Sequence, residues 1–181
     1  MTVTPISYGA RLRHLAAERG SAEAVRFLPA KGEEQSLSWQ ALDVLTDRFA
    51  RALEARGVGQ GDVVAFALGN IPAHLALALA IWRCGATTMV LDPCILPETA
   101  RAMKARSGAA LIIAQREGTG DVTLEAFEAE AHALPETTVE DRIPTPGKIV
   151  LSGGSTGLPK MMCDERPFTR VPGFSWGRVA P

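Results

Sequence analysis

Apolar residues recur along the chain with two different periods, and the changes of period outline helices and strands. Leu12, Leu15 and Ala16 fall at helical spacing between Tyr8 and Arg19, and Gly20 offers a stop. Ala24 to Leu28 and Gln35 to Leu37 have the length of short strands. The charged, turn-rich P-A-K-G-E-E between them predicts a hairpin. Ser38 is placed to cap the next helix, where Leu42, Leu45, Phe49 and Leu53 recur at steps of three and four. Asp43, Asp47, Arg48, Arg51 and Glu54 fill other positions, and Gly57 supplies a left-handed end. Packing on a sheet is the expected role of this helix, and the whole of it.

Beyond Asp62 the pattern changes. V-V-A-F-A-L is a continuous apolar run of strand length, as in strands buried on both faces of a parallel sheet. Asn70 is the expected N-cap, and Pro72 an early position, of a helix from Ile71 to about Cys84. That helix is apolar nearly all round, so it is expected inside, between layers. Gly85 ends it. Thr87 to Leu91 and Ala110 to Ala114 are two further buried strands. Between them lie the turn D-P-C-I-L-P and a helix from Pro97 to Ser107, with Ala100, Met103 and Ala105 available for packing. Strands alternating with helices at this spacing predict βαβ units with right-handed crossovers. The fold class is therefore α/β: a layered parallel sheet with helices on both faces.

From Gln115 to Lys148 the periodicity weakens. Thr123 can cap a short helix over Leu124 to Ala133, and E-T-T-V-E-D-R-I-P-T-P-G reads as a solvated connector. K-I-V-L is a fourth apolar strand. It runs directly into S-G-G-S-T-G-L-P-K, from Ser152 to Lys160. Glycines there let backbone approach a ligand closely, and successive N–H groups can form an anion-binding concavity. The hydroxyls of Ser152, Ser155 and Thr156 add donors, and Lys160 adds a mobile charge suited to a polyphosphate. An ordinary glycine-rich turn has much the same composition. The order fits neither common nucleotide loop. Leu158 and Pro159 separate Gly157 from Lys160, which breaks the G-x-x-x-x-G-K pattern. Glycines at 153, 154 and 157 miss G-x-G-x-x-G.

Composition narrows the partners. The 181 residues carry a formal net charge of -1, so nothing argues for nucleic acid or an anionic membrane surface. The longest apolar run, Leu75 to Trp82, is far short of the roughly 20 residues that span a bilayer. Cys84, Cys94 and Cys163 are an odd set without a C-x-x-C pair, which fits reduced thiols in the cytoplasm. His14, His74 and His132 stand far apart without metal-ligand spacing, so no metal site is expected.

S-G-G-S-T-G-L-P-K resembles the phosphate-binding signature of the adenylate-forming, or AMP-binding, superfamily. That superfamily includes acyl-CoA synthetases, luciferases and the adenylation domains of peptide synthetases. Its usual form is Y/T-T/S-S-G-T/S-T-G-x-P-K-G. Gly154, Ser155, Thr156, Gly157, Pro159 and Lys160 match directly; Ser152 stands in the place of a threonine, Gly153 in that of a serine, and Met161 in that of the final glycine. The resemblance extends in order over about residues 8 to 165, including S-L-S-W-Q-A-L and C-G-A-T-T-M-V-L-D-P. S-G-G-S-T-G-x-P-K followed by apolar residues is similar to a subgroup of acid–CoA ligases for bile acids and other long-chain or steroid acids.

The resemblance implies a chemistry. A carboxylate attacks the α-phosphate of ATP, acyl-AMP forms, Mg-pyrophosphate leaves, and coenzyme A takes the acyl group. Ser152, Gly153, Gly154, Ser155, Thr156, Gly157 and Lys160 would hold the β- and γ-phosphates. No residue of this chain is assigned a catalytic role, because the family's adenine, acyl, magnesium and catalytic-lysine segments come later. The chain is accordingly expected to be an N-terminal fragment, inactive alone. Residues 1–114 would hold the helices, hairpin and βαβ units, 115–148 a connector with a short helix, 149–162 the strand and phosphate loop, and 163–181 a truncated tail. Two other readings stay open: a non-enzymatic nucleotide-binding or partner-completed domain, and an amino-acid adenylation domain of a peptide synthetase. A homodimer is compatible with the sequence.

Overall fold

The computed structural model describes residues 4–29, 32–152 and 158–171. Helix α1, Tyr8–Arg19, starts at Ser7, whose hydroxyl accepts from the Ala10 amide. Strands β1, Glu23–Phe27, and β2, Gln35–Ser38, pair as the expected antiparallel hairpin. Ser38 caps α2, Trp39–Ala55, through the Ala41 amide, and Gly57 follows at φ +81, where only glycine sits without strain.

The main sheet has six strands in the order β6-β5-β3-β4-β7-β8. They are β3 (Val63–Ala67), β4 (Thr87–Val90), β5 (Leu111–Ala114), β6 (Val122–Thr123), β7 (Lys148–Ser152) and β8 (Lys160–Cys163). All neighbouring pairs are parallel except β7 with β8. Three helices complete the order: α3 (Pro72–Arg83), α4 (Pro97–Ser107) and α5 (Leu124–Ala133).

The continuous apolar runs are explained by burial on both sheet faces. Val64, Phe66, Leu111 and Ile113 join the core formed with α2, α3 and α5. The alternate residues Ala65, Ala67, Ile112 and Ala114 meet Ala100 and Met103 of α4 on the other face. The α/β class and the helices on both faces are thus as expected, and the match of α5 and its Thr123 cap is residue for residue.

Four expectations are corrected. Ile71, not Asn70, takes the N-cap position of α3; its aliphatic side chain has no acceptor to cap the helix, and Pro72 at N1 lacks an amide hydrogen. Ala105 is exposed on α4, leaving the packing to Ala100 and Met103. Strands β6 and β8 were not expected; they are short, and β8 is added only by the hairpin that follows β7. The connector after α5 is not simply solvated. Val139 is buried, Arg13 and Arg51 donate to the carbonyls of Val139 and Thr137, and Asp141 enters an ion cluster.

That cluster also revises the reading of α2. Arg83, at the end of α3, is fully buried at 0% side-chain exposure. Its guanidinium reaches Asp43 at 2.6 Å, Asp47 at 2.8 Å and Asp141 at 3.0 Å. Arg13 of α1 bridges Asp47 at 3.1 Å and Asp141 at 2.7 Å. Asp43 and Asp47 therefore face inward as the counter-charges of a buried arginine, and tie α1, α2, α3 and the connector together.

Candidate functional site

β7 emerges from the sheet carrying the glycine loop at its C-terminal end. The incoming chain is fixed at two carbonyls. Thr87 Oγ1 donates to Pro146 O at 2.7 Å, while Gly147 O accepts from Trp82 Nε1 at 2.7 Å and Thr88 Oγ1 at 3.2 Å. β7 then matches β4 only at Thr88↔Lys148 and Met89↔Ile149. On its other side β8 runs antiparallel in four-residue register, from Ile149↔Cys163 to Ser152↔Lys160.

The hairpin places Ser152 and Lys160 directly opposite one another at the base of the loop. Of the predicted phosphate-binding set, these two are brought together by the structure. Gly153, Gly154, Ser155, Thr156 and Gly157 lie outside the described residues. Among the described residues, neither the Ser152 hydroxyl nor the Lys160 ammonium has a side-chain partner. A hydroxyl and an exposed ammonium at the mouth of a β-hairpin suit a polyphosphate. Arg106 of α4 donates to Pro159 O at 3.4 Å, adding a second cation near this end of the hairpin. Among the described residues no group of three or more His, Cys, Asp and Glu side chains could hold a metal ion.

Beside the loop lies a groove of about 1030 Å³. It opens where β3 and β4 end: Leu68, Gly69 and Asn70 line one side, Leu91, Asp92 and Pro93 another. The helices following β3 and β4 lie on opposite faces of the sheet, α3 with one core and α4 with the other. This is the topological switch point of an open parallel sheet, where such folds bind ligands. His74 lines it as well, held by Nδ1 contacts to Leu68 O at 3.3 Å and Gly69 O at 3.2 Å, with its ring edge-on to Phe66. The sequence pattern did not single out this groove. Its signal was the evenly apolar α3, which could not reveal that one stripe of the helix stays partly uncovered.

Among the shifted groups, Cys84 and Asp164 move furthest, for reasons unrelated to the site. Burial, and then the nearby Glu54 carboxylate, push the Cys84 thiol up to about 12. Hydrogen bonds from Arg166 hold the Asp164 carboxyl down at about 2, on the exposed stretch after β8.

This arrangement, a parallel sheet whose fourth long strand leads into a hydroxyl- and glycine-rich sequence near a switch-point groove, has counterparts among known proteins. VinN shares the fold: its crystal structure superposes with a TM-score of 0.75 at 20% identity, covering 90% of this chain and 44% of VinN. The nonribosomal peptide synthetase chyA of Penicillium rubens is 31% identical over 149 residues, covering 74% of this chain and 6% of that protein. The 2-succinylbenzoate–CoA ligase of Salmonella typhimurium is 31% identical over 151 residues, covering 82% of this chain and 31% of the ligase. The chain thus spans less than a third of the length of either relative. Residues 12–163, which reach from α1 through the loop to the end of β8, match the AMP-binding enzyme family, and the chain belongs to that family.

Proposed function

We propose that the chain is the N-terminal part of an ATP-dependent carboxylic acid–CoA ligase, acting on a fatty, steroid or related acid. The observation that carries this reading is the residue order S-G-G-S-T-G-L-P-K, whose first and last residues, Ser152 and Lys160, are opposed across an antiparallel strand pair. An oxygen of the acid attacks the α-phosphorus of Mg-ATP. The bond from that phosphorus to the bridging oxygen breaks, and Mg-pyrophosphate leaves. The thiolate of coenzyme A then attacks the acyl carbon and releases AMP. Ser152, Ser155 and Thr156 donate hydrogen bonds to the β- and γ-phosphates, Gly153, Gly154 and Gly157 admit their backbone contact, and Lys160 offsets charge on the departing pyrophosphate. This is positioning and charge stabilisation rather than proton transfer.

Lys160→Ala in the full-length protein is expected to slow ATP–pyrophosphate exchange by about 10²-fold, the usual loss for one preorganised donor. An unchanged exchange rate removes Lys160 from the role. A second reading has its own support, since peptide synthetases such as chyA match over the same region. In that reading the acid is an amino acid and coenzyme A is not used. Thioester formation with added coenzyme A selects the ligase, whereas acyl-AMP that accumulates with coenzyme A untouched selects the adenylation domain.

A further inference from the structure

The β7–β8 hairpin projects from the sheet with little strand pairing to steady it. β8 lies at the sheet edge and pairs with β7 alone, and β7 meets β4 only at Lys148 and Ile149. The hairpin is also covered on one face only. Ile149, Leu151 and Met161 lie against the core that includes Met103 of α4, whereas Val150 is 44% and Met162 54% exposed. Ser152 stands about 16 Å beyond Gly147 at the rise of a strand, so a tilt of about 4° at the base carries it by about 1 Å. What holds the base therefore decides where Ser152 and Lys160 are presented.

Both legs of the hairpin are gathered at that base by one side chain. The entering leg passes through Gly147, whose carbonyl accepts from Trp82 Nε1 at 2.7 Å and from the Thr88 amide at 3.1 Å. The leaving leg turns back after Cys163, and the Phe168 amide donates to Pro144 O at 2.9 Å. The Phe168 ring then lies on the bare backbone of Gly147, where a Cβ would collide with it. The same ring stacks on Tyr8, with centroids 4.7 Å apart and planes 20° apart, and tilts against Trp82 at 4.8 Å. The Lys148 ammonium lies 5.9 Å from its centroid. Just past it, Ile6 and Arg170 exchange both backbone hydrogen bonds, at 2.9 and 2.8 Å, which fixes the register of the leaving leg. Phe168 thus joins the two legs to each other and to α1 and α3. A ring that only fastened the tail would not need a glycine opposite it.

We propose that Phe168 is a positioning residue for the phosphate site: wedged against Gly147, Tyr8 and Trp82, it locks the base of the β7–β8 hairpin and so sets the placement of Ser152 and Lys160. It acts through the hairpin rather than on the nucleotide. This rests on the reading of the loop as the ATP phosphate site.

The test is ATP–pyrophosphate exchange by the full-length protein, with kcat and the KM for Mg-ATP measured separately. Phe168→Ala empties the wedge and Gly147→Ala pushes it out. Each should lower kcat/KM by about 10²-fold, the scale of a misplacement of about 1 Å, with part of the loss as a raised KM. Phe168→Leu, which keeps an apolar body on Gly147, should recover most of the loss. The double variant should be no slower than Phe168→Ala alone, because the added methyl then meets an empty seat. Phe127→Leu, in the buried core on α5, is the control for stability. It should lower the thermal midpoint and leave KM unchanged, since a smaller folded fraction reduces the apparent kcat alone. An unchanged KM in Phe168→Ala and Gly147→Ala, losses that add in the double variant, or an equal rise of KM in Phe127→Leu overturns the proposal. Should Phe168→Ala fail to fold, Gly147→Ala is read by the same KM criterion. Lys160→Ala separates the two readings. Slowed exchange there, beside a wild-type KM in the Phe168 and Gly147 variants, overturns the positioning role alone. Unchanged exchange in Lys160→Ala overturns the phosphate reading, and the positioning role with it.

Discussion

Replacing Arg83 with methionine should unfold the protein at far lower denaturant, and the structure sets the scale. Arg83 is fully buried and is the partner of three carboxylates, those of Asp43, Asp47 and Asp141. With Arg13 the cluster holds two positive and three negative groups. Methionine fills much of the volume but leaves three carboxylates facing one arginine that is 26% exposed. Removing one partner of a buried ion pair costs about 3–5 kcal/mol, because the remaining charges lose compensation without regaining water. A domain has only about 5–15 kcal/mol to lose. At about 2 kcal/mol per molar urea, the midpoint should fall by roughly 1.5–2.5 M. Urea titration followed by circular dichroism measures this. The shift should persist in 0.5 M salt, since buried charges are poorly screened. Arg26→Met is the control: its pairs with Glu23 and Glu34 are exposed and solvent-screened, and it should leave the midpoint nearly in place. If Arg83→Met shifts the midpoint no more than Arg26→Met, the cluster does not hold the helices together.

Two more outcomes follow from burial. In the native protein at pH 8 a thiol reagent should label Cys94 and Cys163, which are exposed, and reach Cys84 only on unfolding; rapid labelling of all three would contradict the packing. Cys84 also sets a pH dependence. Its folded pKa, about 12, lies above the ordinary 9.0, so its contribution is complete below about pH 9 and lost as pH rises toward 12. Stability should fall over that window by up to about 1.4 kcal/mol per pH unit, and Cys84→Ala should flatten the fall; an unaltered slope refutes it. Gly9→Ala should destabilise by about 1–3 kcal/mol, read from the thermal midpoint, because its methyl would strike the Asp141 carboxylate and press on Arg83. A wild-type midpoint would place the connector differently.

The strands and helices were legible in the sequence wherever burial was periodic or continuous. Val63–Ala67 and Leu111–Ala114 read as buried runs because neighbouring residues enter cores on opposite faces. Ser38 and Thr123 read as caps because each places a hydroxyl acceptor immediately before a helical pattern, within reach of the amide three residues on. What escaped was whatever depends on distant partners. Asp43 and Asp47 looked like the wet side of an amphipathic helix; only the return of Asp141, far along the chain, and the end of α3 turn that side into an interior. The same holds for the connector, whose polar composition suggested solvent until its carbonyls met Arg13 and Arg51. At the site, the motif named the loop residues, but the groove appears only when β4, β7 and α3 are assembled.

This division explains how the loop is placed. With only two residue pairs joining β7 to β4, that ladder alone would locate the strand weakly. The stronger restraint lies just upstream, where Thr87, Thr88 and Trp82 converge on the carbonyls of Pro146 and Gly147. A side chain at residue 147 would collide with Phe168, so glycine is required there for space. Further upstream, Arg142 N donates to Arg83 O at 3.0 Å, next to the ion cluster. The direction of β7, and with it the opposition of Ser152 and Lys160, is therefore set by α3 and β4 acting on the connector. A residue such as Arg83 can alter the geometry of the proposed phosphate site without touching it, because the connector it clasps leads straight into β7.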